Sequence, residues 1–187
     1  GERAVLDSNI KHWASLRMTY IMPTDYAEFS SLMDPIMFHQ PIDSFMENVT
    51  DRDAGYGLIR CLDIPEDSDF WRRAYNMGGG PKMRCVCYDL MNKSFQINGL
   101  SGIESCAERK WFALRNFHMQ YFEDSHLLNK YLHHWRDSLD VYWKDLAKTM
   151  PPEMQQIAAE CRKNSELQKQ MEQTTYEMLR NFAENHR

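Results

Sequence analysis

Long apolar runs are missing from this sequence. Even the aromatic-rich region from Trp111 to Leu146 carries a charged residue or a histidine every few positions. A helix that spans a bilayer needs roughly 20 consecutive, mostly apolar residues. The sequence therefore predicts no membrane span and no membrane partner.

The cysteine pattern of a secreted disulfide scaffold is also missing. The chain has five cysteines, an odd number, and they are scattered along it, whereas disulfide frameworks use even numbers at regular spacings. The opening residues GERAVLDSN lack the basic start and the apolar stretch of a secretory signal. We expect free thiols in a piece of a longer intracellular protein, either cytoplasmic or nuclear.

The sequence has no excess of positive charge. It contains 22 Lys and Arg against 27 Asp and Glu, and the basic residues are spread along the whole chain. Binding that does not depend on base sequence needs a basic stripe that neutralises phosphates. The charge distribution therefore disfavours strong nonspecific binding to nucleic acid.

Catalytic and metal-binding patterns are absent as well. Four histidines, His118, His126, His133 and His134, fall within seventeen residues, but HExxH, Cys-x2-Cys and a His pair spaced i, i+4 are missing. No Gly-x-Ser-x-Gly elbow occurs, and the glycines at 78–80 follow a predicted helix instead of a strand, the reverse of a P-loop. We predict no cofactor and no metal ligand, and a metal-dependent enzyme built on the His118 to His134 region is the weakest of three functional hypotheses.

The residues that are present predict a fold of the α+β class, mainly α. The N-terminal third contains three apolar-periodic segments separated by prolines, which favour short helices at 4–20, 25–33 and 42–49. The segment 67–76 is typical of a further helix that ends at the glycine triplet.

The strongest β signal follows those glycines. Residues 83–90 and 95–100 are rich in apolar and β-branched side chains and flank the turn-like residues 91–94. They predict a small antiparallel hairpin at about 82–100, with an additional edge strand at 56–62. Ser101 and Glu104 fit a capping box that would begin a helix reaching Phe122, and another amphipathic helix is predicted at 125–148.

The sequence beyond Pro151 and Pro152 loses its aromatic residues and becomes rich in Gln, Glu and Lys. We therefore predict a core domain at 1–150 and one long helix at 151–187, which either belongs to that domain or extends from it to bind a partner. Such a helix would be on the order of 50 Å long at 1.5 Å per residue. Its apolar stripe consists of Met154, Ile157, Cys161, Leu167, Met171, Met178 and Phe182.

The run from Lys82 to Phe117, predicted as strand, turn, strand and helix, resembles the second half of a double-stranded RNA-binding domain. The resemblance covers about a fifth of the chain and implies recognition of duplex RNA by shape, with basic residues at the helix start contacting phosphates. This sequence has the acidic segment 104–108 at that place. The resemblance therefore implies a degenerate domain of this kind, without the basic helix start. The candidate RNA contacts are Arg72, Arg73, Lys82 and Arg84.

These observations favour a non-enzymatic protein–protein interaction or scaffold domain that uses helical surfaces to bind a partner or to self-associate. The predicted partner-binding residues are the seven apolar residues of the last helix together with Tyr131 and Trp143, which lie off the apolar seam of the 125–148 helix. The alternative is an RNA-processing cofactor that carries the degenerate RNA-binding segment.

Overall fold

The computed structural model describes residues 2–30, 37–115 and 121–185. By its internal contacts, the chain divides into two compact units. Unit 1 comprises Gly1–Met22, Glu47–Arg84 and Gln120–Leu139, and unit 2 comprises Pro23–Met46, Cys85–Met119 and Asp140–Arg187. The predicted division at residue 150 stays a prediction.

Parallel strand pairs organise unit 1. Strand β1 (Ala14–Met18) pairs in parallel with a later strand at Arg73–Met77, and β2 (Tyr20–Met22) pairs in parallel with the Asn48 to Thr50 part of β3 (Phe45–Thr50). Parallel neighbours cannot be joined by a tight hairpin and need a long crossover, usually a helix. Helix α2 (Asp51–Arg60) follows β3 and lies in the long connection between β1 and its parallel partner β4 (Arg73–Met77); the short helix α1 (Glu2–Leu6) precedes β1.

Helix α2 begins where β3 ends because Thr50 caps it. Thr50 has extended backbone angles, and its hydroxyl accepts a hydrogen bond from the backbone N–H of Asp53 at 3.1 Å. Asp51 and Asp53 lie in the first turn, where carboxylates interact favourably with the helix dipole. A 3-10 turn at Cys61–Asp63 follows directly after the helix.

The core of unit 1 lies between these strands and helix α4 (Ser125–Leu132). Phe70 and Tyr75 stack with ring centroids 5.1 Å apart. The buried cluster consists of Val49, Ala54, Phe70, Tyr75, Met77, Leu128 and Leu132. Residues 46–50 of strand β3 are all buried, so both faces of the strand are shielded from solvent there.

Unit 2 is built mainly from helices. Besides a helical turn at 26–30, it contains α3 (Cys87–Ile97), most of α5 (Leu139–Thr149), α6 (Pro152–Lys163) and α7 (Ser165–Asn185). Short 3-10 turns at Met37–His39, Ile103–Ser105 and Arg109–Trp111 connect them. A 3-10 turn at Pro81–Met83 and strand β5 (Arg84–Val86) lie where the chain passes from unit 1 to unit 2.

Aromatic side chains fill the core of unit 2. Phe38 contacts the rings of Trp111, Phe112 and Phe182 at centroid distances of 6.0, 5.2 and 5.9 Å. Trp143 meets Phe29 edge to face at 5.8 Å, an arrangement that the charge distribution of aromatic rings favours. None of the helices within the described ranges is long and apolar enough to cross a membrane.

The predicted fold class, mainly helical α+β, is confirmed, but the predicted antiparallel hairpin is wrong. Only Arg84–Val86 forms a strand, and Cys87–Ile97 is helix α3. Cys87, Leu90, Met91 and Phe95 are buried at helical spacing, so the apolar run satisfies the 3.6-residue period as well as a strand pattern. The predicted edge strand at 56–62 is also wrong, because most of it belongs to α2.

Several predicted helices are strands or turns. The segments 4–20, 42–49 and 67–76 contain β1, β3 and β4, because parallel pairing between distant segments overrides local preference. No helix begins at Ser101: its hydroxyl contacts Glu172 and Ser105, while the carboxylate of Glu104 accepts a hydrogen bond from Tyr88. Since both groups of the predicted capping box bond elsewhere, the chain forms two 3-10 turns, and residues 116–120 of this predicted helix lie outside the described ranges.

The two remaining predicted helices are each interrupted. His133, with a left-handed φ of 49°, ends α4, and α5 begins at Leu139. Asn164, with extended backbone angles, separates α6 from α7, so the predicted single helix at the C-terminus is wrong.

Residues 82–115 do not have the fold of a double-stranded RNA-binding domain, because the order strand, turn, strand and helix is absent there. Phe117, where the resemblance ends, lies outside the described residues.

Candidate functional site

A cleft of about 310 Å³ opens within unit 2, and four chain segments line it. Its volume lies at the lower end of the range that is typical of small-molecule sites. The lining residues are Tyr26, Phe29, Ser30, Ser94, Phe95, Asn98, Leu100, Met154, Ile157, Met171, Thr175, Met178 and Leu179. We call this the unit 2 cleft.

Helices α6 and α7 form one side of the unit 2 cleft, and polar contacts hold them to the end of α3. The guanidinium of Arg162 donates to the carbonyl of Ile97 at 2.8 Å, and the amide of Gln168 donates to the carbonyl of Gly99 at 2.7 Å. Gly99 has a left-handed φ of 86°, and a side chain there would overlap the backbone of Ala158. The close approach of the two backbones therefore requires glycine.

Polar groups in the lining are few, uncharged and mostly satisfied by the chain itself. The hydroxyls of Ser30, Ser94 and Thr175 donate to the backbone carbonyls of Ala27, Met91 and Met171 at 3.0, 2.6 and 2.8 Å. Because those protons are used within each helical segment, these three residues present mainly carbon atoms and hydroxyl lone pairs to the cleft.

One polar pair in the lining joins two distant parts of the chain. The hydroxyl of Tyr26 donates to the Oδ1 atom of Asn98, whose Nδ2 atom donates to the carbonyl of Ser94 at 2.9 Å. Burial raises the pKa of Tyr26 above its usual value of 10.0, and the bond to Asn98 partly offsets this effect. Tyr26 therefore remains a neutral phenol at physiological pH.

The predicted partner-binding residues are partly brought together in this cleft. Met154, Ile157, Met171 and Met178 line it, and Ile157 and Met178 are 37% and 55% exposed. The other predicted residues lie away from the lining. Leu167 and Phe182 are half-buried, with Phe182 stacked on Phe38.

Cys161 and Trp143 are only 1% and 8% exposed, so both are core residues of unit 2. The expectation that they form part of an outer binding face needs correction, because the packing of α5 and α6 buries them. Tyr131 belongs to unit 1, is half-buried, and donates from its hydroxyl to Asp69 at 2.8 Å.

Unit 1 contains a buried polar network that the sequence analysis missed. The carboxylate of Glu47 is fully buried and accepts hydrogen bonds from the hydroxyl of Ser125 at 3.0 Å and from the backbone N–H of Gly80 at 2.8 Å. Arg84 lies 3.7 Å from the same carboxylate. The glycine loop therefore binds the chain's own carboxylate, in the way that such loops bind external anions elsewhere.

Asp53 and His134 form the second half of this network. The carboxylate of Asp53 accepts from the backbone N–H groups of Arg136 and Asp137, both at 2.9 Å. The Nε2 atom of His134 and the indole N–H of Trp135 both bond the carbonyl of Gly78, at 2.9 and 2.7 Å. Burial lowers the pKa of His134 below its usual value of 6.5, against smaller opposing effects of Gly78 and Asp53. This network fixes the segment that contains α4 onto the loop after β4.

The four candidate RNA contacts all lie in unit 1, and they have different environments. Arg72, Arg73 and Lys82 are exposed, and Arg73 lies 3.9 Å from the carboxylate of Asp69. Arg84 is held between Glu47 and the ring of Tyr121, with its Cζ atom 4.9 Å from the ring centroid. Two of the four cations therefore have carboxylate neighbours, and RNA contact by these residues stays a prediction.

No group of three His, Cys, Asp or Glu side chains within the described ranges is arranged to hold a metal ion. His118 is outside those ranges, so the predicted histidine region is described only in part. Among the cysteines, Cys87 is fully buried, and burial is the largest cause that raises its pKa to about 12. This thiol is therefore protonated and unreactive near neutral pH.

Sequence reasoning found one side of the unit 2 cleft through the apolar stripe of the last helices. It missed Tyr26, Asn98 and the other residues from the opposite side, because their approach depends on contacts between residues more than seventy positions apart. Comparison with protein-family models, curated proteins and solved structures gives no match for this chain. The fold and the cleft define the chain only as an α+β protein with a mostly apolar cleft in unit 2.

Proposed function

We propose that this chain is a non-enzymatic binding module, and that the unit 2 cleft is its binding site. The observation that carries the proposal is that four residues of the predicted apolar stripe line one cleft of about 310 Å³ together with aromatic side chains from the opposite side. Apolar clefts of this size with few polar groups are the usual form of ligand sites. Uptake of an apolar group there is favoured by the removal of apolar surface from water.

Two adjacent threonines offer a matched test of this proposal. Thr175 lines the cleft and Thr174 is exposed, yet both hydroxyls donate to the carbonyl four residues earlier, at 2.8 and 2.9 Å. We expect Thr175→Trp to block the cleft and Thr174→Trp to leave it open. The two variants carry the same change of residue type on the same helix.

Butylbenzene is a suitable neutral probe, and its binding can be measured by ligand-detected NMR and by the rise in Tm. The wild type and Thr174→Trp should bind it. Thr175→Trp should lose at least about tenfold in affinity, because the introduced indole ring fills the cleft and leaves no room for the probe. Equal binding by all three proteins, or failure of the wild type to bind either this probe or 4-butylphenol, would refute the cleft as the binding site.

Docking of another protein, or of a second copy of the chain, on helices α6 and α7 is the second candidate function. The exposure of Ile157 and Met178 at the cleft favours it, because exposed apolar groups beside a pocket are typical anchors of helix-in-groove contacts. For self-association, light scattering coupled to gel filtration should show a concentration-dependent mass that Met178→Glu lowers. A monomer at all concentrations would remove that form of the proposal.

A further inference from the structure

The unit 2 cleft has a chemical preference that its lining residues define. Among the described residues of the lining, none carries a charge. A charged ligand would lose its hydration there without gaining an ion pair, and such desolvation is costly. The lining therefore favours an uncharged ligand.

One place in the lining offers a polar group both a hydrogen-bond acceptor and a hydrogen-bond donor. The Tyr26 oxygen donates its proton to Asn98 and keeps lone pairs that can accept a hydrogen bond, while the Asn98 amide uses one of its two N–H groups on the carbonyl of Ser94. The pair thus offers one acceptor and one donor side by side. A hydroxyl group, which donates and accepts at once, matches both.

The remaining lining supports the same conclusion. The protons of Ser30, Ser94 and Thr175 are already committed to backbone carbonyls, and the other lining residues are Phe, Leu, Ile and Met. At the packing density of protein interiors, 310 Å³ accommodates on the order of ten to fifteen non-hydrogen atoms. Flexible methionines such as Met154 and Met171 can adjust to the shape of such a ligand.

We propose that the natural ligand of the unit 2 cleft is an uncharged small molecule with an apolar body and one hydroxyl group, which hydrogen bonds to the Tyr26 and Asn98 pair. This inference rests on the proposed function, since it names the ligand class for the same cleft. A ligand of this class would lie with its body against Phe29, Phe95 and Leu100.

Three probes of nearly equal size test the ligand class: butylbenzene, 4-butylphenol and 4-butylbenzoate. Dissociation constants measured by calorimetry at pH 7 should rank the phenol tighter than the hydrocarbon by about two- to tenfold, the range of one net hydrogen bond. The carboxylate should bind at least about tenfold more weakly than the phenol. A carboxylate that binds as tightly as the phenol would overturn the inference.

Tyr26→Phe removes the hydroxyl of the pair and keeps the ring. It should abolish the advantage of the phenol over the hydrocarbon, and a cooperative thermal transition followed by circular dichroism shows independently that the variant is folded. Ser30→Ala is the matched control, because it removes a lining hydroxyl whose proton is committed to Ala27, and it should preserve the advantage. An advantage that survives Tyr26→Phe would overturn the assignment of the pair.

The outcomes separate the two proposals. If none of the probes binds the wild type, the cleft is not a binding site and the proposed function fails. If butylbenzene and 4-butylphenol bind equally well, the cleft still binds apolar molecules but the hydroxyl preference is wrong.

Discussion

The burial of His134 makes the folding stability of the chain depend on pH. It is fully buried, its Nε2 atom bonds the carbonyl of Gly78, and its Nδ1 atom has no hydrogen-bond partner among the described residues. Since burial lowers its pKa in the folded chain below 6.5, the unfolded chain binds the proton more readily. His134 therefore favours folding above about pH 6.5, and this contribution decreases as the pH falls through 6.5 toward the folded pKa.

Replacement of His134 by Gln should weaken this pH dependence. We expect the free energy of unfolding of the wild type, measured with urea, to fall between pH 7.5 and 5.5 more steeply than that of His134→Gln. His126→Gln is the control, because His126 is exposed, and it should keep the wild-type slope. The explanation fails if His134→Gln and the wild type show the same slope.

Two glycines of unit 1 differ sharply in the space around them. Gly80 has a left-handed φ of 81°, and a Cβ there would lie 2.4 Å from the ring of Trp135. Gly55 is helical, and a Cβ there would meet nothing within 4 Å.

We expect Gly80→Ala to destabilise the chain by about 2 to 4 kcal/mol, through strain and displacement of Trp135. Gly55→Ala should stabilise it by about 0.5 to 1 kcal/mol, because alanine loses less backbone freedom in a helix. Chemical denaturation of the two single variants measures both effects. The two changes in the free energy of unfolding should have opposite signs. A loss of stability in both variants would show that the α2 surface around Gly55 is not open.

At the scale of elements, Asn164 has two roles that sequence periodicity did not reveal. Its side-chain Oδ1 atom accepts from the backbone N–H groups of Glu166 and Leu167 at 3.0 and 3.2 Å, so it is the N-cap of α7. Its own N–H donates to the carbonyl of Glu160 and completes the end of α6. One residue thus ends one helix and begins the next.

Asn164→Ala should destabilise unit 2 by about 1 kcal/mol, because it removes the cap, whereas Asn164→Asp should be nearly neutral. Thermal unfolding followed by circular dichroism measures the difference. Because Asn164 is exposed and lies outside the lining, butylbenzene affinity should change little in Asn164→Asp. Equal stability of the Ala and Asp variants would mean that the cap contributes nothing.

The sequence predicted the class of the fold and the apolar stripe of the last helices, because both follow from local composition and periodicity. It did not predict β1, β3 and β4, whose parallel partners are distant in the chain. Glu47 and Asn48 made β3 look unlike a buried strand, since the contacts that satisfy Glu47 come from Gly80 and Ser125. Such residues can be recognised only once the distant segments are placed.

At the scale of the whole chain, the polypeptide passes several times between the two units. Each unit takes three separate segments, and the last segment of unit 2 begins at Asp140. The C-terminal helices α6 and α7 supply Met154, Ile157 and Met171 to the cleft, and Ala158 and Leu179 are buried at 2% and 5% exposure. Their removal would expose apolar surface of the segments against which they pack.

A chain that ends at residue 150 should therefore fold poorly. We expect residues 1–150 to show a broadened thermal transition and stronger binding of a hydrophobic dye than residues 1–187, since α6 and α7 no longer cover the rest of unit 2. If residues 151–187 are instead a separable extension, the shorter chain will keep a sharp transition at nearly the same Tm. The comparison thus tests the predicted boundary at residue 150 directly.

The bond between Ser125 and Glu47 has a consequence during protein synthesis. The two residues are 78 positions apart, and ribosomes add about 5 to 20 residues per second, so Glu47 is synthesised roughly 4 to 16 seconds before its partner. During that interval the nascent segment Phe45–Thr50 carries a hydrated negative charge among apolar residues. A charge in this position opposes the pairing of exposed strands between neighbouring nascent chains. The carboxylate that accepts the Gly80 N–H in the finished protein is therefore a solvated charge in the unfinished chain.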